Sequence, residues 1–370
     1  MTIRYFRGRM CVSEDQLYMM RCLQLAQRAE GYAAPNPLVG AVLVHQGRII
    51  GEGFHQVYGA AHAEVNCFAS VSEADRVLIP ESTLYVSLEP CAHFGKTPPC
   101  ADRVIRERVQ RVVVANRDPF AAVDGKGIDK LLAAGIQVDT GVLEQDAAWL
   151  NRRFFCVHTR NRPYIILKWA QTQNGFFAPA DRSRLQISNS WSKRLNDRWR
   201  AKESAIMVGT ITAINDNPRL TSSYGHVPLR IALDRTLRIP ATHQLLQEGP
   251  ATWIVNELEA GNSGSVRYHK LPFDDRLLTQ LLDELSAVGK NSLIVEGGVQ
   301  LLQSFIDQGL WDEARVFIAG DVDSNGIQAP RLSEALHCAD WPLGDNRLHY
   351  YIHNNNSYAP GTLGLHSLDL

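Results

Sequence analysis

The 370-residue sequence lacks several features that define whole classes of proteins. No stretch approaches the roughly 18 consecutive apolar residues of a transmembrane helix, so we expect no membrane association. Arg4, Arg7 and Arg9 are followed by no apolar segment, which argues against a signal peptide. Neither sign of charge is in excess, because the sequence has 38 Lys and Arg and 39 Asp and Glu. This balance argues against a protein that binds nucleic acid through a basic surface.

Cysteine is sparse and odd in number, with seven residues spread over the chain. Disulfide frameworks of secreted proteins are denser and usually even, so we expect free thiols and a cytoplasmic location. Low-complexity tracts and fixed-period repeats are also missing, which excludes repeat architectures. At 45% hydrophobic residues the chain can bury sizeable cores. At about 150 residues per domain, its length predicts two domains.

Short β-rich runs alternate with helical stretches, which predicts α/β layering throughout. In the first domain we expect a helix from Ser13 to about Glu30, then a hairpin at 40–44 and 48–53. Further strands are expected at 84–88, 111–115 and 136–140, and further helices at 101–108 and 128–134.

A single long helix is predicted over 144–159, ended by Pro163. We therefore place the domain boundary near residue 161, giving domains 1–160 and 161–370. In the second domain, strands are expected at 164–169, 205–208, 229–233, 252–255, 293–296 and 315–318. Helices are expected there at 191–201, 274–288 and 299–308.

Three potential zinc ligands lie in the first domain. His62 opens the sequence His-Ala-Glu, Cys91 follows Pro90, and Cys100 follows a second proline. One imidazole and two thiolates leave a fourth tetrahedral position for water, and Glu64 remains free to move the proton. This is the order of groups in zinc deaminases, although that signature usually has two residues between its cysteines and here 92–99 intervene.

Two other interpretations of these residues stay open on spacing alone. The cysteines could be ordinary buried thiols, as Cys67 nearby could be. Alternatively, a closed structural zinc site would need a fourth protein ligand, for which His55 and His93 are the candidates.

Three segments closely resemble the bifunctional deaminase/reductase family of riboflavin biosynthesis: LEPCAHFGKTPPC (88–100), PNPLVGAVLV (35–44) and HAEVNCF (62–68). The long spacing between the cysteines is that family's own variant of the signature. The resemblance implies a cytidine-deaminase-like α/β/α domain with one zinc ion per chain, bound by His62, Cys91 and Cys100, and with Glu64 as the catalytic residue. It implies deamination of 2,5-diamino-6-(5-phosphoribosylamino)pyrimidin-4-one. By matching position, the deaminase substrate contacts are expected at Asn36, His55, His93 and Lys96.

Local signals in the second domain are weaker, because no GxGxxG motif follows a strand. The Gly297–Gly298 pair after Glu296 fits an anion-binding turn at a helix start, but by itself it fits a plain tight turn better.

The pieces of this domain resemble, in order, the family's reductase domain, whose fold is like dihydrofolate reductase. The resemblance implies that NADPH reduces the ribose of the deaminated product. The positions that match nucleotide contacts are Ala170, Thr212, Asp216, Arg235 and Gly298. The positions that match substrate contacts are Lys168, Arg184, Arg200, Leu220 and Glu296.

The second domain departs from the family at three places: Asn174, Gln186 and Ser223. The last replaces a phosphate-binding arginine, for which Arg219 or Arg230 could substitute. Two alternatives to a bifunctional enzyme of phosphoribosylaminopyrimidines therefore stay open. One is an active deaminase with a decayed, structural reductase domain, and the other is a base deaminase acting on nucleic acid. A homo-oligomer is possible in each case.

Overall fold

The computed structural model describes residues 12–92, 94, 98–120, 123–181, 187–319 and 325–358. The chain forms two compact units, the first ending at Asn151 and the second beginning at Arg152. The expected domain boundary at residues 160 and 161 stays a prediction. Among the described residues, no helix combines the length and the apolar character needed to cross a bilayer.

The helices are α1 (Glu14–Gln27), α2 (Ala63–Ser70), α3 (Cys100–Glu107), α4 (Lys126–Ala133), α5 (Glu144–Leu150), α6 (Arg152–Arg160), α7 (Ser190–Lys202), α8 (Thr210–Asp216), α9 (Leu277–Ala287) and α10 (Val299–Asp307), with a 3-10 helix at Glu73–Glu81. The strands of the first unit are β1 (Gly40–His45), β2 (Arg48–Phe54), β3 (Thr83–Leu88), β4 (Arg111–Asn116) and β5 (Gln137–Thr140). The strands of the second unit are β6 (Tyr164–Gln171), β7 (Phe176–Pro179), β8 (Ala205–Gly209), β9 (Leu229–Leu233), β10 (Thr252–Asn256), β11 (Gly261–Ser263), β12 (Val266–Lys270), β13 (Ser292–Val295), β14 (Glu313–Ile318), β15 (Gly326–Gln328), β16 (Ala335–Leu343) and β17 (Asn346–His353).

The first unit is a sheet in the order β2-β1-β3-β4-β5, covered by helices on both faces. Strand β1 pairs antiparallel with β2 and β3, whereas β3, β4 and β5 are parallel. Buried side chains of α2, α3 and α4 pack on one face, and those of α1 and α5 pack on the other. This is the α/β/α architecture expected from the sequence.

The second unit is built on a ten-stranded sheet in the order β11-β12-β10-β9-β8-β13-β6-β14-β17-β16. The seven strands from β12 to β14 in this order are parallel, and antiparallel strands complete both edges. Helices α9 and α10 cover one face with a leucine-rich core, while α6, α7 and α8 cover the other. Strands β7 and β15 form a separate two-stranded sheet.

The predicted helix over 144–159 is wrong as one element, because the chain leaves helical geometry at Asn151 and forms α5 and α6. The Asn151 side chain instead accepts from the Leu38 N–H at 2.7 Å and donates to the Leu38 carbonyl at 2.9 Å. A buried amide that satisfies two distant backbone groups outweighs the continued helical pattern.

Candidate active sites

The predicted zinc ligands meet at the starts of two helices. His62 is the residue before α2, Cys91 follows β3, and Cys100 is the first residue of α3. His62 Nδ1 lies 3.6 Å from Cys91 Sγ and 3.3 Å from Cys100 Sγ, and the three ligand atoms lie within 4.8 Å of one another. A donor set of one imidazole and two thiols in this arrangement fits Zn²⁺.

The local electrostatics favour a thiolate at this position. The Cys100 backbone N–H, at the N-terminus of α3, donates to Cys91 Sγ at 3.3 Å. Hydrogen bonds from the Cys100 thiol and from His62 hold the pKa of Cys91 well below its usual value, although burial opposes this shift. A thiolate is the form that binds a metal ion.

Glu64 lies in the first turn of α2 and is almost completely buried, at 3% exposure. Burial raises the pKa of its carboxyl to about 7, and the nearby Cys91 adds to this effect. A carboxyl whose pKa lies near neutrality can both take up and release a proton.

His55, a predicted substrate contact, lies beside the zinc ligand His62, and Asn36 contacts His55. The His55 and His62 rings meet edge to face with centroids 5.5 Å apart, and Asn36 Nδ2 lies 3.0 Å from His55 Nε2. His55 Nδ1 lies 3.1 Å from the Ala61 carbonyl, so it carries the proton and Nε2 accepts from Asn36. Both His55 nitrogens are thus engaged, which argues against His55 as a fourth zinc ligand. His93 and Lys96 lie outside the described residues.

Sequence reasoning missed Glu89, which anchors the segment before Cys91. Its buried carboxylate accepts from four backbone N–H groups, those of Asp118, Gly125, Gly127 and Ile128, at 2.8–3.3 Å. Gly127 lies so close that a Cβ there would be 1.9 Å from the Pro90 carbonyl oxygen. The only signal in the sequence was a charged residue directly before the metal motif, in Glu89-Pro90-Cys91.

In the second unit the structure brings three predicted substrate residues together. Arg200 on α7 makes two 2.7 Å bonds to the Glu296 carboxylate, and Lys168 Nζ on β6 lies 3.8 Å from it. Although burial raises the pKa of Glu296, Arg200 and Lys168 outweigh it and hold the value at about 2. Burial lowers the pKa of Lys168, and the charges of Glu296 and Asp216 oppose that shift.

This cluster lies at the carboxyl ends of the parallel strands, at the point where the strand order changes direction around β13. Ligands of open α/β sheets bind at such a switch point. Strand β13 ends one residue before Glu296, and Gly298 is the residue before α10. A Cβ at Gly298 would lie 3.3 Å from Thr212 Oγ1, and the Gly209 N–H donates to the Gly297 carbonyl at 2.9 Å. The glycine pair thus keeps space open beside Thr212, as a phosphate cradle requires.

The other positions predicted to contact the nucleotide lie on strands of the same sheet or on the segments that follow them. Ala170 is the penultimate residue of β6, and Asp216 is the last residue of α8. Arg235 follows β9, and its exposed guanidinium bonds Glu257 at 2.7 Å. These positions are consistent with a nucleotide laid along the strand ends.

Two expectations in the second unit need correction or restriction. Arg230 cannot replace the missing phosphate-binding arginine, because it is buried and donates to the carbonyls of Arg219, Gln244 and Pro250. The Leu220 side chain is in the core at 1% exposure, so only its backbone can meet a ligand. Arg184 and Gln186 lie outside the described residues.

Comparison with known proteins matches both units to known families. Residues 12–116 match the cytidine and deoxycytidylate deaminase zinc-binding region, and residues 163–322 match the RibD C-terminal domain. The riboflavin biosynthesis protein RibD of Aquifex aeolicus is 40% identical over 320 residues, covering 85% of this chain and 89% of the relative. RibD of Escherichia coli is 34% identical, covering 83% and 88%.

Solved structures agree with these sequence matches. A diaminohydroxyphosphoribosylaminopyrimidine deaminase/5-amino-6-(5-phosphoribosylamino)uracil reductase from Thermotoga maritima is similar with a TM-score of 0.85 and 30% identity, covering 92% of this chain and 99% of that one. RibD of Acinetobacter baumannii gives a TM-score of 0.82 at 31% identity, covering 92% and 98%. The alternative of a decayed reductase domain is not supported.

Proposed function

The chain belongs to the RibD family, in which a zinc-dependent deaminase domain is fused to an NADPH-dependent reductase domain, and from this premise we propose how its own residues divide the two reactions. The first unit removes an amino group from 2,5-diamino-6-(5-phosphoribosylamino)pyrimidin-4-one. The second unit reduces the ribosyl group of the product to give 5-amino-6-(5-phosphoribitylamino)uracil. The convergence of His62, Cys91 and Cys100 beside the buried Glu64 supports the first assignment.

His62, Cys91 and Cys100 would hold the zinc ion, which when bound supplies Lewis-acid activation of a water molecule. Glu64 takes one proton from the attacking water and delivers a proton to the leaving amino group, so that ammonia departs. Burial of Glu64 favours the protonated carboxyl that delivers a proton, whereas a bound cation would lower its pKa and favour the carboxylate that takes one up.

Asn36 and His55 orient the pyrimidine in this proposal. The hydrogen bond between their side chains fixes the tautomer of His55 and the direction in which the Asn36 amide points. His93 and Lys96 are proposed to contact the ring and the phosphoribosyl group.

In the second unit, NADPH supplies a hydride when bound, and the Gly298 turn, Ala170, Thr212, Asp216 and Arg235 are proposed to hold the nucleotide. Lys168, Arg200 and Glu296 bind the substrate, together with Arg184 and the Leu220 backbone. The paired cations at Glu296 fit a phosphorylated substrate, since they keep positive charge at the strand ends.

The deaminase assignment is tested by Glu64→Gln. We expect the variant to keep one zinc per chain by elemental analysis and to lose ammonia release by about 100- to 10,000-fold, the usual contribution of a general acid–base. Glu73→Gln, on an exposed side chain, is the control and should release ammonia at the wild-type rate. Near wild-type release by Glu64→Gln would contradict the role of Glu64.

The reductase assignment is tested by following NADPH absorbance with supplied deaminated product. We expect wild-type protein to consume NADPH and Asp216→Ala to need a higher NADPH concentration. Consumption of no NADPH by the wild type at saturating substrate would contradict this half of the proposal.

We also propose a cytoplasmic location and no nucleic-acid substrate. Two zinc-binding thiols need a reducing compartment to remain available. Retention on a phosphate-polymer column at low salt would contradict the absence of nucleic-acid binding.

A further inference from the structure

A second group of metal-ligating side chains lies in the reductase unit, on the hairpin formed by β16 and β17. It consists of His337, Asp340 and His349. None of these residues takes part in the two proposed reactions. Strand β16 is the last strand in the described order of its sheet, so one of its sides is not covered by a neighbouring strand.

A bulge in β16 puts these side chains on one face. In a regular strand, residues three apart point to opposite faces. The pairing register shifts between His337 and Ala339, so that His337 lies opposite Tyr351 and Asp340 lies opposite His349. Since His349 and Tyr351 are two apart on β17, they share a face, and so do His337 and Asp340. Bulges commonly redirect a side chain in this way at functional positions.

The ligand atoms are already close to one another. His337 Nε2 lies 2.8 Å and His349 Nε2 3.5 Å from Asp340 Oδ1, and all three atoms lie within 4.8 Å. Ligands of a tetrahedral ion with bonds of about 2.0–2.2 Å are roughly 3.3–3.6 Å apart, so a small rotation of the rings closes the site.

We propose that His337, Asp340 and His349 form a second metal site, which binds a divalent first-row transition ion such as Zn²⁺, Co²⁺ or Ni²⁺. Two imidazoles and one carboxylate suit these ions, whereas Mg²⁺ and Ca²⁺ prefer oxygen ligands alone. Water would complete the coordination, because the three side chains are 29–45% exposed.

The surroundings support a ligand role for His349. Its Nδ1 lies 3.4 Å from the Tyr351 hydroxyl, which can accept a hydrogen bond from the Nδ1–H and leave the Nε2 lone pair for the metal. His349 and Tyr351 also line a cavity of about 690 Å³ on the sheet face, so a ligand could reach the ion from there. Arg347 lies on the same face and opposes a cation, so the site is weaker than one built from thiolates.

The test is Ni²⁺ binding to untagged, zinc-loaded full-length protein by equilibrium dialysis. Elemental analysis of the same samples shows that the first zinc is retained. We expect one Ni²⁺ per chain in addition to one zinc. Affinity should fall at least tenfold in His337→Ala and in His349→Ala, and also fall in Asp340→Asn.

His226→Ala, at a half-buried histidine outside the cluster, is the matched control and should bind Ni²⁺ like the wild type. NADPH binding by each variant shows that the reductase unit is folded. Absence of a Ni²⁺ ion beyond the zinc, or unchanged affinity in folded His349→Ala, would overturn the proposal. Neither result bears on the deaminase, whose ligands are different residues.

Discussion

At the residue scale, Gly127 shows how one missing side chain supports the zinc-binding segment. It lies in helix α4, where alanine is ordinarily favoured over glycine by about 1 kcal/mol. Its backbone N–H reaches the Glu89 carboxylate, and a Cβ would be 1.9 Å from the Pro90 carbonyl, next to Cys91. Because the obstructing atom is backbone, the clash cannot be relieved by a rotamer change.

We therefore predict that Gly127→Ala lowers the free energy of unfolding by about 1–3 kcal/mol, the usual cost of overpacking, and weakens zinc retention. The measurements are thermal unfolding and zinc content after dialysis. Gly135→Ala is the control. Gly135 has φ +81, and a Cβ at this position would have nothing within 4 Å. It should destabilise through backbone strain while keeping zinc. A more stable Gly127→Ala protein would contradict the prediction.

A second residue-scale prediction concerns Glu296. Its pKa in the folded protein is about 2, below the ordinary 4.5, so its stabilising effect is complete above about pH 4.5 and is lost as pH falls toward 2. Glu296→Gln leaves Lys168 and Arg200 without their buried counter-charge, and we expect a loss of about 3–5 kcal/mol at pH 7. Urea unfolding of the wild type and of Glu296→Gln should show that the difference between their free energies of unfolding decreases from pH 5 to pH 3. A gap that does not change with pH would contradict the charge assignment.

At the scale of elements, the residue between α5 and α6 contacts the segment that contains the proposed substrate residue Asn36. Asn151 bonds both backbone groups of Leu38, which lies two residues after Asn36. The helix break at Asn151 thus fixes the backbone at Leu38, between the proposed substrate contact Asn36 and the start of β1.

Asn151→Ala should destabilise the first unit by about 1–3 kcal/mol, because two backbone groups lose their partner, and should raise KM for deamination. Asn151→Asp keeps the acceptor for the Leu38 N–H but loses the donor, so its effect should be intermediate. NADPH consumption should be unchanged in both variants. Steady-state ammonia release measures the first effect, and an unchanged KM in Asn151→Ala would contradict the link to Asn36.

The sequence predicted elements best where periodicity and local stop signals agree. Strand β9 has the predicted bounds, and α1 begins with the Ser13 cap. The hairpin of β16 and β17 was missed because its strands alternate imperfectly and contain the bulge at Cys338. The zinc ligands were predictable because a motif carries them, whereas the Glu89 contacts join residues 29–39 apart and depend on the folded chain.

At the scale of the whole molecule, each proposed ligand set lies within one unit. The zinc ligands fall within residues 62–100 and the nucleotide positions within 170–298. Removing zinc with a chelator should abolish ammonia release and lower the unfolding temperature of the first unit, while the Kd for NADPH changes by less than about twofold. At 100 times its Kd, NADPH should stabilise the second unit by about 2.7 kcal/mol.

Fluorescence titration of NADPH before and after chelation measures whether NADPH binding depends on zinc. Added zinc should restore deamination. A tenfold change in the NADPH Kd on chelation would contradict it.

The central position of β6 has a consequence for the order of events on the ribosome. Strand β6 is the first strand of its sheet to be made, yet both of its neighbours, β13 and β14, begin more than 120 residues later, at Ser292 and Glu313. At a synthesis rate of about 5–20 residues per second, the buried, apolar residues of β6 remain without their neighbouring strands for roughly 6–25 s. Among the described residues, those of the first unit all lie within 12–151, so this part of the chain is synthesised before β6. We therefore expect the nascent second unit to need a chaperone more than the first unit does.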